Sequence, residues 1–172
     1  MKSPFVRALS LVPLLSALVL VSLPAEDSSV ETIIPDKLED AKGKKIESSA
    51  LNGKYIGLYF SAGWCPPCRA FTPLLIDFRD QHTEDFEVVF VSFDKSNTEK
   101  QRYIRKSEMP WPSIPGAGRR DGKKLSQKFQ VEGLPTLIIL DPDGELVSLS
   151  GREDVTSDPG TALEKWKKAK QS

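Results

Sequence analysis

The chain is poor in the residues that bind soft metals or staple small exported domains: 172 residues contain two cysteines, one histidine and two methionines. Two cysteines cannot build a framework of several disulfides, so stability has to come from a hydrophobic core. A zinc centre needs about four ligands, and outside the cysteine pair His82 is the one soft donor the sequence offers. Neither charge dominates, with 24 Lys and Arg against 24 Asp and Glu. That balance argues against a nucleic-acid partner. The basic clusters Arg119, Arg120, Lys123, Lys124 and Lys165, Lys167, Lys168, Lys170 read as solvated helix faces. No repeat and no second domain is evident, and the expectation is a monomer with one core.

Long apolar runs are also scarce, with one exception at the start. Lys2 and Arg7 precede sixteen uncharged, largely apolar residues, Ala8 to Leu23, and Pro24-Ala25 then leads into Glu26-Asp27. Residues 1–25 therefore read as a signal peptide, with cleavage after Ala25 and export as the consequence. The same segment left uncleaved would be a membrane anchor, although a full span wants about 20 apolar residues. Residues 26–43, polar with scattered apolar anchors such as Ile33, Ile34 and Leu38, read as an N-terminal extension of a domain covering 44–172.

Both cysteines sit in one short motif, Trp64-Cys65-Pro66-Pro67-Cys68. Lys54 to Ala62 before it is a nearly continuous apolar run, as in a strand buried on both faces. After it, Phe71, Leu74, Leu75 and Phe78 fall at helical spacing, and Cys68 lies three residues before Phe71. This pattern predicts Cys65 at an exposed helix start and Cys68 facing inward. A helix N-terminus favours a thiolate, which is the reactive form of cysteine. Cys65 is thus the candidate nucleophile and Cys68 the candidate resolving thiol of a redox-active disulfide, with no other cofactor expected. Pro66 and Pro67 suit the first helical turn and bring no N–H to the thiolate, which favours a reductant over a strong oxidant. Arg69 pulls weakly the other way. The alternatives are a structural disulfide, an exported oxidase, or a Cu(I)-binding module using the two thiols. A bridge across two residues constrains little of the unfolded chain, and the sequence has neither a methionine cluster nor a histidine near the pair.

The remaining pattern alternates strands and helices. Phe86 to Phe93 predicts a second buried strand, and Ser96-Asn97-Thr98-Glu99 a capping box opening a helix to about Ser107. Trp111 to Gly116 is proline-rich and reads as a loop. Leu125 and Phe129 mark a short helix, Leu134 to Leu140 a third strand, and Asp141-Pro142-Asp143-Gly144 a turn into an antiparallel strand from Glu145 to Leu149. Asp158-Pro159 opens a last helix.

Tyr59 to Pro73 (YFSAGWCPPCRAFTP) and Gly133-Leu134-Pro135-Thr136 together resemble the thioredoxin superfamily, and within it the tryparedoxin and nucleoredoxin branch. Met109-Pro110-Trp111 and Gly151 to Asp158 are similar to segments of the same branch. The resemblance implies an α/β, thioredoxin-like fold, a central mixed β-sheet flanked by helices, and thiol–disulfide oxidoreductase activity. It also implies a cis bond before Pro135 and a Leu134 backbone offered to an extended partner, with Trp64 covering the site. Protein disulfides would be the substrates. The electron donor is unidentified, and a membrane-bound one would suit an exported reductase. Thioredoxins proper carry a buried Asp six residues before the nucleophile, where this chain has Tyr59. Water, a backbone group, Glu108 or Glu132 would then receive the proton of Cys68.

Overall fold

The computed structural model describes residues 33–118 and 120–170; the leader expected over residues 1–25 lies outside them. A short antiparallel hairpin, β1 (Lys37–Glu39) and β2 (Lys45–Glu47), leads through a 3₁₀ turn (Ser48–Leu51) into β3 (Tyr55–Ser61). Helix α1 (Pro66–Gln81), β4 (Phe86–Ser92), α2 (Asn97–Lys106) and α3 (Arg120–Lys128) follow. The chain continues through β5 (Thr136–Leu140), β6 (Leu146–Ser148), α4 (Gly151–Ser157) and α5 (Pro159–Ala169). The main sheet has the order β4-β3-β5-β6, with β3 parallel to β4 and antiparallel to β5. It is the mixed sheet flanked by helices that the resemblance implies.

Every residue of β3 and β4 is buried, and their side chains divide by parity. Tyr55, Tyr59, Phe86, Val88, Phe90, Leu137 and Ile139 enter one core with Phe71, Leu75 and Phe78 of α1 and Trp166 of α5. Ile56, Leu58, Phe60, Val89, Val91, Ile138 and Leu140 enter the other core, with Leu38 of the hairpin and Leu125 of α3. Successive strand residues point to opposite faces, so a run apolar at nearly every position requires cover on both sides, and the one buried charge in it, Glu87, is paired with Arg79. The hairpin joins the β4 edge through the proline-rich loop: Ser113 bridges Glu39 on one side and Phe90 on the other. That loop thus carries one strand-like residue despite its prolines.

Three local expectations change. Leu74 is 47% exposed rather than part of the helix stripe. Thr72 takes the inward position instead, because its hydroxyl is satisfied by buried tyrosines. The Ser96 cap forms as expected, with its Oγ accepting from Glu99 N, but Glu99 Oε2 accepts from Lys95 N instead of closing the box on Ser96. Helix α4 has no clear sequence signal, since Gly151, Val155, Thr156 and Ser157 are poor helix formers. It forms by packing: Val155 is buried, and Asp154 accepts from Trp166 Nε1 at 2.9 Å and from Ser148 Oγ at 3.2 Å. The C-terminal lysines also do more than face water. Lys165 pairs with Asp154, Lys167 with Asp85 and Lys170 with Asp141 and Asp143, tying the end of the chain to α4 and to neighbouring loops.

Candidate active site

Strand β3 ends at Ser61, and the chain turns through Ala62, Gly63 and Trp64 into α1. Cys65 is the N-cap of that helix, Pro66 and Pro67 fill its first two positions, and Cys68 follows in the first turn. Cys65 and Cys68 form a disulfide, with Cα atoms 5.3 Å apart. Cys68 N donates to Cys65 Sγ at 3.3 Å. The two prolines carry no N–H, so Cys68 supplies the backbone donor that reaches the capping sulfur. Cys68 faces inward as predicted and is fully buried. Cys65, expected to be exposed, is 4% exposed, because its sulfur is bonded to Cys68 and packs with Ala62, Phe93 and Leu134.

Around the bond, Trp64 is 56% exposed, and its Nε1 donates to Phe93 O at 3.1 Å. Pro66 and Pro67 are exposed, Leu134 is half-buried against the cysteines, and Pro135 is buried. The Leu134–Pro135 bond is cis, as the resemblance implies. All the expected site residues therefore converge on the carboxyl end of β3. Trp111, by contrast, lies in the core edge-on to Tyr59 at 6.2 Å, and His82 caps the far end of α1 against Phe78.

Beneath Cys68 lies a cluster of hydroxyls that sequence reading missed. Tyr59 Oη donates to Cys68 O at 3.1 Å and meets Thr72 Oγ1 at 2.9 Å. Thr72 Oγ1 lies 2.9 Å from Cys68 O and 2.7 Å from Tyr103 Oη, which reaches Ser61 Oγ at 3.2 Å. The Tyr59 hydroxyl is thus spent on a backbone carbonyl and a threonine. Burial pushes its pKa far above the ordinary tyrosine value, so it stays a neutral donor. Glu108 and Glu132, weighed as proton acceptors, are exposed.

A buried carboxylate, Asp94, two residues beyond β4, bonds the turn that leads into Cys65. Its Oδ1 accepts from Gly63 N at 2.8 Å and its Oδ2 from Ser92 Oγ at 2.8 Å. Burial raises its pKa, against the opposing hydrogen bonds from Gly63 and Ser92. Its sequence signal is a charged residue at the carboxyl end of a buried strand that runs parallel to β3, the end at which α/β sheets build sites. Arg69, expected to act weakly on the thiolate, directs Nη1 to Gly63 O at 2.8 Å. An open groove of about 910 Å³ adjoins the site between α1 and α2, lined by Trp64, Arg69, Pro73, Asp94, Arg102 and Lys106 among others.

A family model described as thioredoxin-like matches residues 52–146, from the turn before β3 to the start of β6. The chain belongs to the thioredoxin-like family. Within that family it is 40% identical to nucleoredoxin of Homo sapiens over 129 residues, covering 73% of this chain and 29% of nucleoredoxin. Tryparedoxin of Trypanosoma brucei brucei is 39% identical over 129 residues, covering 73% of this chain and 88% of tryparedoxin. The chain thus spans under a third of the nucleoredoxins it matches and most of tryparedoxin. Among solved structures, tryparedoxin II of C. fasciculata superposes with a TM-score of 0.71 at 35% identity, covering 80% of this chain and 92% of that one. Thioredoxin of Wuchereria bancrofti superposes at 0.67 with 38% identity, covering 80% and 97%. The fold is thioredoxin-like, and Tyr59, six residues before Cys65, anchors α1 through its hydroxyl.

Proposed function

We propose that this chain is a thiol–disulfide oxidoreductase that reduces disulfides of exported proteins. The observation that carries the reading is the Cys65–Cys68 disulfide at the N-terminus of α1, where Cys65 caps the helix and Cys68 lies beneath it. In the reduced protein, the Cys65 thiolate attacks one sulfur of a target disulfide. The target S–S bond breaks, one target sulfur leaves as a thiolate and is protonated, and a mixed disulfide joins Cys65 to the other. Cys68, having lost its proton, then attacks Cys65 Sγ. The second target thiol leaves, and two electrons have passed from the Cys65/Cys68 pair to the target. A dithiol donor on the same side of the membrane must restore the pair; a membrane-bound donor suits this role.

Trp64, Pro66, Pro67 and Leu134 form the surface around the bond on which a target would dock, and Pro135 supports it from below. The reductase direction is supported by the prolines at the first two helical positions, which leave few donors to stabilise a thiolate and so favour the disulfide form of the protein. Export is supported by the signal-like pattern of residues 1–25. The test is dithiothreitol-driven reduction of insulin. Cys65→Ser should abolish it, and an unchanged rate would remove the mechanism. A potential of the pair near roughly −270 mV supports a reductase, and one near about −120 mV would reassign the protein as an oxidase. Cleavage after Ala25 is read from the N-terminus of the protein recovered outside the cytoplasm.

A further inference from the structure

We infer that Asp94 is the positioning residue of this site: with Arg69 it clamps Gly63 from both sides and so fixes the Trp64–Cys65 segment that meets the target disulfide. The inference rests on the thiol–disulfide exchange proposed above. Gly63 is the last residue before that segment, and both of its backbone polar groups are held by side chains. Its N–H donates to Asp94 Oδ1 at 2.8 Å, and its carbonyl accepts from Arg69 Nη1 at 2.8 Å. Asp94 is itself set by Ser92 Oγ on its other oxygen, at the end of the rigid, fully buried β4. An aspartate buried to 4% exposure costs stability unless its oxygens are used. Here both are used, and the recipient of one is the active-site turn.

Two more bonds tie the same turn to the segment after β4. Phe93 N donates to Ser61 O at 2.9 Å, and Trp64 Nε1 donates to Phe93 O at 3.1 Å. The turn is also pressed against α2, since a Cβ at Gly63 would lie 3.0 Å from Tyr103 Cβ and 3.1 Å from its Cγ. A side chain there would require Tyr103 to give by a few tenths of an ångström, so glycine suits the close approach. Among these contacts Asp94 is the one buried carboxylate outside the cysteine motif that bonds the turn carrying Trp64 and Cys65. A preset turn lowers the ordering cost of docking a protein target. A small disulfide, which contacts the sulfur and little else, gains far less from it.

The variants Asp94→Ala and Asp94→Asn separate this role from a general effect on stability. An asparagine at 94 keeps an acceptor for Gly63 N and turns its amide donor to Ser92 Oγ, so it should rescue what alanine loses. Expected is a tenfold or greater fall in kcat/KM for insulin with Asp94→Ala, mostly in KM, and a change within twofold with Asp94→Asn. The reaction of Cys65 with a small aromatic disulfide should stay within twofold in both. Equal kinetics for Asp94→Ala and the unaltered protein, or an equal loss in both variants, would overturn the inference. Hydrogen exchange of the Gly63 amide is a second reading that needs no activity: Asp94→Ala should accelerate it at least tenfold, and an unchanged rate refutes the clamp. Should insulin reduction itself be absent, the proposed function fails while Gly63 exchange still decides the role of Asp94. Arg69→Met, at an exposed position, needs no buried change; a threefold or larger rise in KM supports the clamp and an unchanged KM contradicts it.

Discussion

Removing the hydroxyl of Tyr59 tests how the first turn of α1 is anchored. The side chain is fully buried, and Phe is nearly isosteric, so Tyr59→Phe leaves packing with Phe71, Phe90 and Trp111 in place. Four hydroxyls (Tyr59, Thr72, Tyr103 and Ser61) bring four protons to five contacts, two of them to Cys68 O. Tyr59 therefore supplies one donated bond and at most one accepted bond. Neither partner is orphaned by its loss, because Cys68 O keeps Thr72 and Thr72 keeps Tyr103. At about 0.5–1.5 kcal/mol net for each bond, the substitution should cost about 0.5–3 kcal/mol. Guanidinium unfolding of the oxidised protein reads this as a lower midpoint with an unchanged slope. The double variant Tyr59→Phe/Tyr103→Phe should depart from additivity by at least about 0.5 kcal/mol, because both hydroxyls act through Thr72. A cost below about 0.3 kcal/mol together with additive singles would refute the anchoring argument, since that is the scatter of independent sites. The pH dependence has a definite sign. Because burial raises the pKa of Tyr59 above its ordinary 10.0, its contribution is complete below pH 10.0 and is lost as pH rises beyond it, so the alkaline fall in stability should be shallower in Tyr59→Phe.

Gly151→Ala should destabilise by about 1–3 kcal/mol despite the better helix propensity of alanine. Its Cβ would lie 2.8 Å from the backbone oxygen of Leu137 and 2.7 Å from Ile139 Cδ1, and thermal unfolding measures the cost. Lys100 is fully buried between Glu39 Oε2 at 2.8 Å and the Ile114 carbonyl at 2.6 Å, and burial lowers its pKa. Lys100→Met should cost about 3 kcal/mol by leaving Glu39 without its partner, and Lys100→Met/Glu39→Gln should recover part of it in the same denaturation assay. Asp154 is buried, which opposes ionisation, but the bonds from Lys165 and Trp166 outweigh that and lower its pKa below 3.8. Its stabilisation is thus present above pH 3.8 and lost as pH falls through the lowered value, so the midpoint gap between the protein and Asp154→Asn should narrow from pH 7 to about pH 2.

The strands, the order of helices and the cysteine pair were legible because each has a local physical signature. Phe86 to Ser92 has no polar alternation to hide, and the Cys65-Pro66-Pro67-Cys68 motif stands directly between a buried strand and an amphipathic helix. What escaped sequence reading depends on contacts between distant residues. Thr72 reads as an ordinary polar helix residue until Tyr103, 31 positions away, meets its hydroxyl. Asp94 reads as the start of a loop until the chain brings Gly63 to within 2.8 Å of it. Helix α4 contradicts its own propensities because Asp154 and Val155 gain more from β6 and α5 than the backbone loses. The exposure of Cys65 was misjudged for a related reason: helix position says where a sulfur starts, and Leu134 and Phe93, from other parts of the chain, decide what covers it.

The central claim is that Cys65 attacks and Cys68 resolves. Intact-mass analysis of the Cys68→Ser variant, reduced and then mixed with a protein disulfide, tests it most directly. The account predicts a stable covalent adduct that dithiothreitol releases, with peptide mapping placing the bond at Cys65, and no such adduct from Cys65→Ser. An adduct formed by Cys65→Ser through Cys68, with none from Cys68→Ser, would contradict it.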